Sequence, residues 1–291
     1  MRQNYIIIFF FTILLSSCSS LLYYPSRNLY VPPSEIHLSP EEVWLPVEKD
    51  IQLFAWYFHT RQSNSNTAPK AVFIQFHGNA ENISAHYMNL VWVLNQGYDL
   101  FTFDYRGYGR SSDVKPNPQN TVEDGIKAIR WVHQKYPNLP IVIVGQSIGG
   151  AIALRAAYEL RKEIPILLIV ADSTFLSYKE AGSSVLSHSW LTWPFQWLSY
   201  LVLSDSYAPG NHVAELAPTP LLVIHGSKDQ VIDFKLGEEI FAIAKEPKEF
   251  WKVENGRHID VFSRPDFQKR LLTKLDELQK SKRQFFSPRT R

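Results

Sequence analysis

The chain has 291 residues, of which 45% are hydrophobic and 20% charged, and a formal net charge of +2. Those proportions exclude an intrinsically disordered chain and suit one large α/β domain or two small ones. A charge so near zero gives no electrostatic basis for binding nucleic acid, and a single cysteine, Cys18, excludes an intrachain disulfide.

At the N-terminus, Arg2 precedes an apolar run from Tyr5 to Leu15. Such a run, as helix, spans roughly 16 Å against about 30 Å of bilayer hydrocarbon, too short to cross but suited to a signal-peptide core. Leu15-Ser16-Ser17-Cys18 resembles the lipobox of bacterial lipoproteins. The resemblance implies a signal peptide over residues 1–17, lipidation of Cys18, and an anchor that tethers the protein to a membrane without spanning it. By bacterial sorting rules, Ser19 rather than Asp after the cysteine implies the periplasmic face of an outer membrane. The alternative is a short hydrophobic helix with an incidental cysteine. Residues 18–40, rich in Ser, Pro and Tyr, read as a linker, 41–280 as the folded domain, and 281–291 as a basic tail.

Periodicity predicts two early strands, Val43–Val47 and Ile51–His59, joined by Glu48-Lys49-Asp50. Strand and helix signals then alternate. Strands are expected at Ala71–Phe76, Leu100–Asp104, Ile141–Val144, Ile166–Ala171, Leu221–His225 and Glu249–Val253. Helices are expected at Ala80–Gln96, Thr121–Tyr136, directly after Ser147, and at Phe234–Lys245 and Pro265–Gln279. Alternation of this kind gives a mainly parallel, doubly wound sheet with helices on both faces. Residues 173–217 break the alternation and read as a cap insertion over the strand ends. Trp190, Trp193, Trp197, Tyr200 and Leu201 fall roughly on one helical face, interrupted by Pro194. That face suits packing on the core, a roof over an acyl pocket, or a patch that dips into lipid.

The most informative motif is Gly145-Gln146-Ser147-Ile148-Gly149, a G-x-S-x-G set between the β-branched run 141–144 and a helix. In that context a sharp strand-to-helix turn strains the serine and holds its hydroxyl clear of the sheet. The following helix turns its free N–H groups towards the hydroxyl. A serine needs a base, and the base needs an orienting carboxylate. Among nine histidines, His258 is best placed, on a loop after the last strand. Asp229, just past the strand 221–225, gives the order Ser147, Asp229, His258; Asp172 and Asp233 are rivals, and Asp260 is placed as a loop stabiliser. Oxyanion donors are expected at the N–H of Ile148 and of Asn79, with Ala80 as the alternative to Asn79. His77 and His225, each before a glycine at a strand end, read as structural turn residues. The loop Asp104–Ser111 suits a rigid turn and lacks a G-x-G-x-x-G fingerprint. With no H-E-x-x-H motif and no cysteine pair, neither metal nor cofactor is expected.

Together, the segments F-H-G-N-A-E-N at 76–82, F-D-Y-R-G-Y-G-R-S at 103–111, G-Q-S-I-G-G at 145–150, H-G-S-K-D at 225–229 and G-R-H at 256–258 resemble the α/β-hydrolase superfamily. They look most like the HGNA-type serine hydrolases, whose eukaryotic relatives include membrane-associated acyl-protein thioesterases. The resemblance covers about residues 40–280. It implies Ser147 as nucleophile, Asp229 as acid, His258 as base, and esterase or thioesterase chemistry on a small or lipid-like acyl substrate. Glu81 stands where these relatives usually carry glycine, and Ile148 where leucine or methionine is common. Other readings are a peptidase of the prolyl-oligopeptidase type and a non-catalytic envelope lipoprotein that keeps the fold.

Overall fold

The computed structural model describes residues 22–62 and 68–286. The expected signal peptide, Cys18 and residues 287–291 lie outside them. Eight strands form one sheet: β1 (Glu41–Glu48), β2 (Ile51–Phe58), β3 (Val72–Phe76), β4 (Asp99–Phe103), β5 (Ile141–Gln146), β6 (Ile166–Asp172), β7 (Leu221–Gly226) and β8 (Lys248–Val253). Their spatial order is β8-β7-β6-β5-β3-β4-β2-β1. Only β1–β2 and β2–β4 pair antiparallel. The helices are α1 (Ile83–His86), α2 (Pro118–Lys135), α3 (Ile148–Leu160), α4 (Tyr178–Ser187), α5 (Leu198–Val202), α6 (Phe234–Ile243) and α7 (Pro265–Phe286).

Period-2 alternation assigns each strand residue to one of two cores. Val72, Ile74, Phe76, Ile141 and Ile143 pack with α2 and α3. Phe73, Leu100, Val142, Val144 and Leu168 pack with the 83–94 segment and α7. Both faces are covered, so the central strands are apolar at nearly every position and carry no polar stripe. Six strands run parallel, so their carboxyl ends share one edge, where ligand sites of open α/β sheets form. The loops after β3, β5, β6, β7 and β8 leave that edge at residues 77, 147, 173, 227 and 254.

Four expectations change. The helix expected over 80–96 is broken. Ala80–Glu81 is extended, and 3-10 turns at Tyr87–Asn89 and Val91–Gln96 follow the four-residue α1. Asn82 restarts the chain as an N-cap, its side chain accepting from the Ser84 N–H at 2.9 Å and donating to the carbonyls of Ser26 and Asn28. The linker expected at 18–40 is, from residue 22 onward, part of the fold: Tyr23 is buried, and Tyr24–Pro25 pairs in parallel with Ala80–Glu81. Helix α2 starts at Pro118, not 121, because Asn117 and Asn120 form a reciprocal capping box ahead of a proline at the first position. Helix α7 continues to Phe286 into the expected basic tail, whose Lys, Arg and Gln are good helix formers.

The close approach of strand and helix at the 145–150 turn has a definite steric basis. A Cβ on Gly149 would collide with the backbone carbonyl oxygens of Phe76 and His77, and one on Gly145 would sit 2.6 Å from the Gly150 Cα. These atoms are backbone and cannot rotate away. Gly149→Ala is therefore expected to cost at least about 3 kcal/mol in urea denaturation. Gly210→Ala, with open space but φ +46°, is expected to cost about 1 kcal/mol through strain alone.

Candidate active site

Strand β5 delivers Ser147 into a positive-φ conformation, φ 55° and ψ −129°. A non-glycine residue held there is strained, and the surroundings over-determine it. The Ser147 N–H donates to the Asp172 carbonyl at 2.9 Å, and its carbonyl accepts from Gly150 N–H at 2.9 Å. Beneath the turn lies a buried polar row. Gln146 donates to Asp172 Oδ2 at 3.0 Å and accepts from Asn89 at 3.1 Å, while Gln75 donates to the His86 carbonyl at 2.8 Å.

The loops after β7 and β8 bring Asp229 and His258 together, with Nδ1 2.8 Å from Oδ2. The other oxygen, Oδ1, accepts from the N–H groups of Val231 and Ile232 at 2.8 and 3.0 Å. Burial alone would raise the Asp229 pKa. Hydrogen bonds from His225 and His258 outweigh it and hold the carboxyl well below the usual range, so it is ionised. His225, read from sequence as a turn residue, is a positioning group for this acid: its Nε2 lies 2.9 Å from the Ile232 carbonyl and 3.4 Å from Asp229 Oδ2. Gly237 leaves the room its ring needs, since a Cβ there would clash with Nδ1. No hydrogen bond joins His258 to Ser147 in this structure, while the Ile259 N–H donates to Ser173 Oγ at 3.3 Å and ties the histidine loop to the end of β6.

The rival carboxylates have other partners. Asp172 is bonded to Gln146. Asp233 accepts from Ser184 and pairs with His188. Asp260 accepts from the Arg257 N–H and from Arg264, within its own loop. His77 is fully buried, its Nδ1 against its own Gly78 carbonyl, and burial drives its pKa down to about 3. Stacked on it at 5.5 Å is His86, which no sequence motif marks. Burial lowers His86 as well, and its Nε2 meets the Ala80 carbonyl at 3.0 Å.

Ile148 opens α3 immediately after Ser147. The loop carrying Asn79 passes beside the serine: a Cβ on Gly78 would lie 3.8 Å from Ser147 Cβ. The Asn79 carbonyl accepts from Tyr24 N–H at 2.8 Å and Tyr108 hydroxyl at 2.7 Å. Its side chain donates to the Leu22 carbonyl. The Asp104–Ser111 turn thus has a second task beyond rigidity, because Tyr105 donates to the His77 carbonyl at 3.3 Å. Arg106 anchors the turn on Asp124 at 2.6 and 2.9 Å.

A mostly parallel eight-stranded sheet in this order, flanked by helices on both faces, defines an α/β-hydrolase fold. Residues 67–212 match the family described as serine aminopeptidase, S33 (Hydrolase_4), and the chain belongs to that family of hydrolases. Over 214 residues, 73% of this chain and 71% of the relative, it is 35% identical to the uncharacterized protein YfhR of Escherichia coli K12. It is 28% identical to the lysophosphatidylserine lipase ABHD12 of Mus musculus over 79% of this chain and 58% of that protein. The Pyrococcus furiosus esterase Pf2001 shares the fold with a TM-score of 0.69 at 18% identity, covering 89% of this chain and 98% of that chain.

Burial pushes the Asp172 carboxyl from 3.8 up to about 6, against the opposing hydrogen bond from Gln146. An acid raised in the folded state contributes stability below its unfolded pKa, and that contribution is lost as pH rises through the folded value. Asp172→Asn keeps an acceptor for Gln146 and removes the titration. Between pH 4 and 7 the variant is expected to gain up to about 3 kcal/mol relative to wild type, read from urea denaturation across that range.

Proposed function

We propose that this chain is a serine hydrolase that cleaves carboxylic esters or thioesters through an acyl-enzyme. The observation that carries the proposal is the 2.8 Å Asp229–His258 pair on the same sheet edge as the strained Ser147 turn. His258 Nε2 takes the Ser147 hydroxyl proton as Oγ attacks the acyl carbon. The N–H groups of Ile148 and Asn79 receive the oxyanion, and the proton then passes to the departing alcohol or thiol. Water, activated by the same imidazole, releases the acid and restores the serine. The missing serine–histidine bond is compatible with this role, because such bonds often tighten only with substrate in place. Asp229 holds the imidazole tautomer with Nδ1–H towards the carboxylate. The names of a lipase among the relatives and an esterase among the fold neighbours support an acyl-ester substrate.

The family's description favours a second reading, aminopeptidase activity. Parallel assays on p-nitrophenyl acyl esters and aminoacyl p-nitroanilides separate the two, with faster ester turnover expected. Ser147→Ala is expected to leave less than about a thousandth of the wild-type rate and to abolish fluorophosphonate labelling, and Asp229→Asn to lower kcat by roughly 10⁴. A folded wild type that the probe fails to label would instead be a non-catalytic lipoprotein.

The attachment we propose is a lipid on Cys18 at the periplasmic face of an outer membrane. Mass spectrometry of the mature protein is expected to find residue 18 first and acylated, and Cys18→Ser to remove the modification. An unmodified Cys18 in an intact chain would contradict it.

A further inference from the structure

We propose that the carboxyl edge of the sheet, with the site on it, lies against a lipid bilayer, so that acyl substrates enter from the membrane surface; the substrate clause rests on the hydrolase reading above.

The first observation is the cap. From Ala181 to Ser204 the sequence has no Asp, Glu, Lys or Arg. Most of the large aromatic and several leucine side chains of this stretch are turned outward, while Leu203 is buried: Trp190 is 83% exposed, and Leu191, Trp193, Phe195, Trp197 and Leu201 are each more than half exposed. Of the three readings open to these residues, packing on the core does not hold. A concentration of exposed apolar residues of this kind marks an interaction site. Tryptophan with leucine and phenylalanine, and no charge among them, matches the headgroup–acyl boundary of a bilayer. The cap is fixed beside the site. Ser184 Oγ and His188 Nε2 lie 2.8 and 2.9 Å from the carboxylate of Asp233, on the loop that carries Asp229.

The second observation is independent and concerns where the chain leaves the fold. The Leu22 carbonyl accepts from Asn79 Nδ2 at 3.2 Å, and the Tyr24 N–H donates to the Asn79 carbonyl. The chain therefore joins the domain beside the turn that passes Ser147. Cys18 is four residues earlier, at most about 14 Å of extended chain. Tyr5–Leu15 also precedes this point. Whether the membrane is held by lipid on Cys18 or by the apolar run itself, attachment enters at the edge that bears the site and the cap. Among the described residues, no helix is long and apolar enough to cross a membrane. A short tether and an uncharged aromatic surface on one edge fix the orientation.

The test uses the full chain in phosphatidylethanolamine–phosphatidylglycerol vesicles. Trp190→Cys places a single thiol on the cap. Asn138→Cys places one at the opposite edge, where Asn138 is exposed ahead of β5. Each is labelled with a nitrobenzoxadiazole probe, and the parent chain is labelled in parallel to report any signal from Cys18. Doxyl-labelled phosphatidylcholine is expected to quench the probe at 190 at least about threefold more than that at 138. Equal quenching, or more at 138, overturns the orientation. So does a probe at 190 shielded in a dimer detected by light scattering, since a second copy would then cover the patch. In a second arm, Trp190→Ser/Trp193→Ser/Trp197→Ser is expected to lower kcat/KM on a vesicle-borne long-chain acyl ester at least about tenfold, leaving turnover of soluble p-nitrophenyl acetate within about twofold. An equal loss on both substrates overturns direct entry from the membrane. A wild type inactive on both refutes the hydrolase reading, while the quenching result still decides the docking.

Discussion

Ser147 can present its hydroxyl only because the 145–150 turn, the end of β3 and Thr174 crowd together where no added side chain fits. Gly145, Gly149 and Gly150 close the turn against the end of β3 and against Thr174. The steric exclusion holds φ at 55°, where serine would not otherwise stay. The cost is spread across the sheet core that presses these segments together.

Asp229 and His258 depend on a different kind of constraint. Asp229 is buried, and burial by itself would neutralise it. Two histidines and two backbone N–H groups keep it charged. The carboxylate acts as a fixed negative point to which His258 is oriented, while His225 braces it from behind. Two further histidines lie by the loop after β3. Burial holds the pKa of both His77 and His86 down, which favours their neutral forms.

The segment 22–26 bears on site and attachment together. It pairs with 80–81 and satisfies the side chain and the carbonyl of Asn79. It also carries the chain towards Cys18. The loop beside Ser147 is thus braced by the same residues that lead to the N-terminal segment for which we propose membrane attachment. Exposed aromatic residues of the cap lie on that edge too, and a bilayer there would cover apolar surface that is otherwise costly in water.

Much of this protein was legible in the residue order. The apolar runs at 141–144 and 166–171 are strands because both sheet faces are buried. The glycines at 145 and 149 mark the turn because nothing larger fits, and the loop positions of Asp229 and His258 follow from the strand signals before them. Less was visible between 80 and 96, where an apparently helical pattern is cut by Asn82 bonding to Ser26 and Asn28, partners more than fifty residues away. The brace from His225 to Asp229, the burial of His86 and the outward turn of the cap tryptophans were likewise settled by tertiary contacts. Sequence determines what is local: period, turn chemistry and the size a position tolerates. The ionisation of a carboxylate, the partner of an amide and the solvent a tryptophan meets depend on groups brought near by the sheet, and only the folded structure decides those.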